Sequence, residues 1–377
     1  PASNRSVRIV ELARTRCPPS RSRHAGGPFL MSSGADKLMR VSHEQPRPAL
    51  RPSGNTRTSK DGRSYRWFVT WRYVPNASTK LPRIKMPPPM PLAPVVAVLN
   101  MKGGVGKTTV SAHLMRHLFE RLHKSTLLVD FDPQFNLSQT VLTRSRYESL
   151  RDQGKSVATV MEPTPSASLF KITTNLGPPP DETEVSTSLF KFGNSGKTLA
   201  LVPGHFGLSK YSLITDQQSL TPIRQRFLNF IENSRKTRDL ICIDCNPSSS
   251  FMTLCALMAS THILIPVRPD RYSILGLQLL DQFINELSQL TKKPKLVILL
   301  NGLKSSNSTE IAVETSLRSD AKFGPMVLGN TLRFSGLLAA DDSYVGFATD
   351  KKVAHVSALK TRLSKITDEL KGHLGWQ

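Results

Sequence analysis

From residue 95 onward, short apolar runs alternate with longer segments whose apolar residues recur every three or four positions. The runs are Val95–Leu99, Thr126–Val129, Leu199–Val202, Leu240–Ile243, Ile263–Val267 and Leu296–Leu300. Unbroken apolar runs this short read as strands buried on both faces rather than as half-exposed strands, which alternate with polar residues. Between the first two runs, Val110, Leu114, Leu118 and Leu122 repeat with Met115 and Phe119 beside them, which predicts a helix with one apolar face. Near the end, Val353, Val356, Leu359, Leu363, Ile366 and Leu370 predict another helix. Strand–helix alternation of this kind predicts an α/β fold with a doubly wound, mostly parallel sheet over residues 95–377.

Residues 1–94 carry no such period. They are rich in Arg, Ser and Pro, and only Tyr65–Tyr73 alternates weakly. The composition predicts a disordered basic extension, or a segment outside the native product, with Met86 or Met90 as a start ahead of the first strand. The formal net charge is +23, and residues 1–90 supply +14 of it, from 18 Lys+Arg against 4 Asp+Glu. The remainder is still basic enough to make nucleic acid or an acidic membrane surface a plausible partner. Cys242 and Cys245 form a C-x-x-C inside a strand-like run, with no second pair to complete a zinc site, so they read as buried thiols. No apolar run approaches the roughly 18 residues of a membrane span.

The chemistry concentrates where strands meet helices. Lys102, Gly103, Gly104, Val105, Gly106, Lys107, Thr108 and Thr109 follow the first strand and open the first helix, the setting a phosphate-binding loop requires. Glycines let backbone N–H groups turn onto phosphate oxygens, and the helix N-terminus adds partial positive charge. Lys107 would reach the phosphates, and the Thr108 hydroxyl would ligate magnesium. Asp130 and Asp132 close the second strand and Asp244 closes the fourth; carboxylates at strand ends can hold a magnesium ion or orient an attacking water. His113 and His117 stand four apart on the first helix without the glutamate of a zinc protease, and read as solvated.

The run Lys-Gly-Gly-Val-Gly-Lys-Thr-Thr resembles the deviant Walker A motif of the ParA/MinD family of P-loop ATPases. Leu127–Gln134 is similar to that family's second motif, and Leu240–Ser248 to its Walker B strand. The resemblance implies ATP and Mg2+ as cofactors, with Lys102 reaching across a homodimer onto the partner's nucleotide. It implies that Asp132 serves the hydrolytic water, that Asp130 and Asp244 act on magnesium, and that Asn301 contacts adenine. Phe135 stands where many relatives have glycine, and is expected to alter that loop's shape.

By resemblance, the protein is expected to be a cytoplasmic, nucleoid-associated partition ATPase. It would dimerise on ATP, bind DNA nonspecifically and hydrolyse ATP when a ParB-like partner stimulates it. Arg268, Arg271, Lys292, Lys293, Lys351, Lys352, Lys360, Arg362 and Lys365 are candidate phosphate contacts. The alternative is a MinD-like positioning ATPase that lays a C-terminal amphipathic helix on lipid. The apolar face of the last helix is expected to pack on the sheet instead, so membrane association is not expected.

Overall fold

Successive residues of a strand face opposite ways, and the first strand shows what that does here. Val95, Ala97 and Leu99 enter one hydrophobic core while Val96 and Val98 enter another. The computed structural model describes residues 56–58, 64–66 and 92–376, apart from 164–167, 174, 194, 247, 249, 305–307 and 340–343. The chain divides into two units, Pro1–Pro87 and Pro88–Gln377. In the first, Thr56–Thr58 pairs antiparallel with Ser64–Arg66. The expectation of disorder over the extension otherwise falls outside the described residues, as does Cys17.

In the second unit, the described residues form one eight-stranded sheet. Its strands are β1 (Val95–Val98), β2 (Thr126–Phe131), β3 (Thr187–Lys191), β4 (Thr198–Val202), β5 (Leu240–Cys245), β6 (His262–Val267), β7 (Lys295–Leu303) and β8 (Leu332–Arg333). Their order is β8-β7-β6-β1-β5-β2-β4-β3, parallel throughout except where β3 pairs antiparallel with β4. All six predicted runs are strands, with ends shifted by a few residues. The polar, half-exposed β3 and the short β8 carry no apolar run and were not predicted.

Helices cover both faces. The helix α1 runs through Lys107–Thr109, a π-helical stretch Val110–Leu114, and Met115–Leu122. After it come α2 (Asn136–Val141), α3 (Gln217–Ser234), α4 (Phe251–Ala259), α5 (Ser273–Glu286), α6 (Ser308–Ser319) and α7 (Val356–His373). One core takes Phe227 and Phe230 of α3, Cys255 of α4 and Leu280 of α5. The other takes Leu114 and Leu118 of α1 with Leu359, Leu363, Ile366 and Leu370 of α7. Each such side chain contributes roughly 1.5–3 kcal/mol relative to exposure. The apolar face of α7 is therefore occupied by the sheet, as expected, although Val353 lies ahead of the helix and is 54% exposed. Among the described residues, no helix is long and apolar enough to cross a membrane.

Two expectations about α1 fail. His113 and His117 are buried, not solvated. The His113 Nδ1 accepts the Ala348 N–H at 3.1 Å, and the His117 Nε2 pairs with Ser364 Oγ at 2.9 Å. The segment around Ala348 and helix α7 cover a surface that looks like a solvent face when α1 is read alone.

The cysteines follow the strand period. Cys242 lies in one core and Cys245 in the other, so residues three apart on β5 look away from each other. Burial pushes both thiols up.

Candidate functional site

β1 lies between β5 and β6: the chain leaves β1 for β2 on the β5 side, and later crosses from β5 to β6 toward the other side. A crevice opens at the carboxyl end of a strand so placed, and ligands of open α/β sheets bind there. Residues 99–106 turn through this crevice. Asn100 fixes the start: its Oδ1 accepts the Lys102 N–H and its Nδ2 donates to the carbonyl of Pro266 in the neighbouring strand β6, both at 2.9 Å. Gly104 and Gly106 then adopt left-handed φ angles of 71° and 89°. At Gly106 a Cβ would run into the Asn301 Nδ2, which adds to the demand for glycine set by the left-handed φ.

Lys107 starts α1 and is buried beneath the loop, where its Nζ donates to the Lys102 carbonyl at 3.2 Å. Burial lowers its pKa, and the charges of Asp244 and Asp132 work against that shift. One helical turn places Thr108 and Ser111 side by side, and both hydroxyls grip Asp244. Thr108 Oγ1 donates to Oδ2 at 2.9 Å and Ser111 Oγ donates to Oδ1 at 2.7 Å. Burial raises Asp244 to about 6, and those two hydrogen bonds hold it back from rising further.

The register of β2 on β5 pairs Asp130 with Asp244. Asp130 is buried completely, and its Oδ2 accepts both the N–H and the hydroxyl of Ser138, at 2.8 and 2.6 Å. Among the described residues its Oδ1 has no hydrogen-bond partner. Burial, then the Asp244 charge, pushes Asp130 up to about 8. Asp132 sits nearer the surface, accepting the Gln134 N–H at 2.9 Å. Phe135, in the glycine-like position, takes a left-handed φ of 46° and stacks on Tyr147 at 5.0 Å between centroids. The stacking offsets a backbone conformation that costs a non-glycine residue about 1–2 kcal/mol.

These carboxylates and the Thr108 hydroxyl are hard oxygen donors with an orphaned buried oxygen among them, and their mutual repulsion is what a divalent cation relieves. The residues present therefore fit a magnesium ion. Lys107, Thr108, Asp130, Asp132 and Asp244 come together around the loop. Asn301 lies within β7, and its Nδ2 donates to the Val105 carbonyl at 2.7 Å, which braces the loop. Lys102 pairs with Asp270 on an exposed flank.

Asn100, Ser111, Ser138 and Asp270 escaped the sequence reading. Ser111 stands one turn after Thr108, a spacing that signals a shared helix face. Nothing local signals Asp270.

The AAA domain family matches residues 93–298, more than half of the chain. An uncharacterized protein of Methanocaldococcus jannaschii is 30% identical over 205 residues, covering 54% of this chain and 70% of its own length. The chromosome-partitioning ATPase Soj of Treponema pallidum is 32% identical over 190 residues, and the match spans 49% of this chain and 61% of Soj. Among solved structures, pNOB8 ParA bound to nonspecific DNA shares the fold at a TM-score of 0.51 and 19% identity, over 74% of this chain and 99% of that one. With the glycine loop, the strand-end carboxylates and the mostly parallel sheet in place, the chain belongs to the AAA domain family, as a ParA-type P-loop ATPase.

Proposed function

We propose that the protein is an ATP-dependent partition ATPase: it binds ATP with magnesium, dimerises, holds DNA nonspecifically, and hydrolyses ATP when a cargo-bound partner stimulates it. The observation that carries this reading is the grip of Thr108 and Ser111 on Asp244 beside buried Lys107, under a loop shaped by two left-handed glycines. In this reading the loop N–H groups and Lys107 bind the phosphates. Lys107 gives up its hydrogen bond to the Lys102 carbonyl for a phosphate oxygen. Thr108, Asp244 and the free oxygen of Asp130 are the groups that would hold magnesium, which supplies neutralisation of phosphate charge when bound. Asp132, the least buried of the three carboxylates by its place in the turn, orients the attacking water.

Lys102 leaves Asp270 to meet the partner protomer's nucleotide. The DNA reading draws on pNOB8 ParA, whose structure was determined on nonspecific DNA. Arg268, Arg271, Lys292, Lys293, Lys352, Arg362 and Lys365 are exposed here and available to phosphates. The occupied face of α7 gives the lipid-binding alternative no surface in that helix.

The test is a gel shift on random duplex DNA without nucleotide, with ADP and with ATP and magnesium, using wild type and Lys102→Ala. Binding that requires ATP and is lost in the variant is expected. Equal binding in every nucleotide state would leave only a static basic surface and defeat the proposal.

A further inference from the structure

Between β2 and α2 the chain makes a tight turn that begins at Asp132. The Gln134 N–H donates to Asp132 Oδ1 at 2.9 Å, and the Phe135 N–H to the Asp132 carbonyl at 2.8 Å. Because α2 starts at Asn136, Phe135 must redirect the backbone, and it does so at φ 46° and ψ 36°. Glycine reaches that region freely, whereas a residue with a Cβ is strained there. The backbone preference of position 135 therefore works against the turn that holds Asp132.

What opposes the strain comes from outside the turn. The half-buried rings of Phe135 and Tyr147 lie face to face, 5.0 Å between centroids and with planes 3° apart. Tyr147 belongs to the helix Arg144–Asp152, and its hydroxyl donates to the Gly204 carbonyl at 3.2 Å. Gly204 follows β4 and is itself anchored. Its N–H donates to Ser138 Oγ at 2.9 Å, and that hydroxyl donates to Asp130 Oδ2 at 2.6 Å. A Cβ on Gly204 would stand 2.7 Å from both Asp130 Cγ and Phe135 Cβ, so its bare backbone fits between them. The stack is thus tied to the end of the sheet beside the buried carboxylate.

A stacked aromatic pair supplies an attraction comparable with the strain of one left-handed residue. Removing Tyr147 would leave the strain unopposed, whereas a glycine at 135 would remove the strain itself.

We propose that Tyr147 is a positioning residue for hydrolysis: by stacking on Phe135 it keeps the turn closed and holds the Asp132 carboxylate where it orients the attacking water. The inference rests on the hydrolysis reading above and adds the side chain that stands behind Asp132. The phosphate-binding groups stand on the glycine loop, α1 and β5, so the stack acts on the rate of cleavage and leaves nucleotide affinity alone.

Single-turnover hydrolysis of magnesium ATP, with protein in excess and random duplex DNA present, gives the maximal rate and the half-saturating protein concentration separately. Melting curves verify the fold. Tyr147→Ala is expected to lower the maximal rate roughly two- to ten-fold, the worth of one aromatic pair, with half-saturation unchanged. Tyr147→Phe keeps the stack and should stay within about two-fold of wild type. The deciding variant combines Tyr147→Ala with Phe135→Gly and should regain most of the lost rate, because glycine takes the left-handed turn unaided. A packing role alone predicts the reverse, since the double variant has lost both rings. An unchanged rate in Tyr147→Ala, a loss confined to half-saturation, or a double variant no faster than Tyr147→Ala would overturn the proposal. So would a Tyr147→Phe variant as slow as Tyr147→Ala. Wild type that binds magnesium ATP without cleaving it would instead defeat the hydrolysis reading, and this inference with it.

Discussion

The two lysines of the glycine loop live in opposite surroundings. Lys107 is buried beneath the loop beside Asp244, which two hydroxyls hold and the sheet encloses. Lys102, five residues earlier, lies on the surface, where its side chain is 45% exposed and that of its partner Asp270 34%. A buried charge that loses a partner is strongly destabilising, so the inner flank has one arrangement. An exposed ion pair is worth about 0–1 kcal/mol, so the outer flank can exchange partners at little cost. The inner lysine is held in one place and the outer one can exchange partners, the division that the proposed two-protomer site calls for.

The comparison can be broken most forcefully at Asp130. With its carboxyl raised from the ordinary 3.8 to about 8, the folded state binds a proton that the unfolded state releases. The resulting stability is complete below about pH 4 and is lost as pH rises through about 8. Without metal or nucleotide, the melting temperature should therefore fall from pH 6 to pH 8. Asp130→Asn should flatten that slope and be the more stable protein at pH 8, by an amount on the order of a few kcal/mol. A parallel decline in the variant would mean that Asp130 is not the strained group.

A smaller effect tests the hydroxyl grip. Ser111→Ala leaves Asp244 Oδ1 buried without its donor and should cost about 1–3 kcal/mol in denaturant unfolding at neutral pH. No loss would show that water replaces the hydroxyl and that the inner flank is more open than its burial suggests. The smallest effect belongs to the outer flank. Asp270→Asn should change stability by less than about 1 kcal/mol, within the range of an exposed pair. A larger loss would make Lys102 a structural residue and end the contrast between the lysines.

What the sequence disclosed follows from the range over which each feature is determined. The six apolar strands, the glycine loop and the three strand-end aspartates depend on residues a few positions apart, and all were legible. Ser111 was legible in principle, being one turn from Thr108. Asp270 is 168 residues from Lys102 along the chain, and no local pattern marks it. The burial of His113 and His117 depends on α7 and on the segment near Ala348, more than two hundred positions away. A helix read alone shows which face is apolar; it does not show that its polar face will also be covered. Asn301 adds a related point: its amide braces the loop through the Val105 carbonyl, 196 positions away, and no local pattern marks that contact.

The packing of α7 against α1 also bears on how the protein is made. The helix that follows the phosphate loop is made well before α7, yet the core on its side of the sheet is closed by Leu359, Leu363, Ile366 and Leu370. Until α7 has been made and has folded back, α1 lacks that cover, and the inner flank of the site rests on an unfinished core.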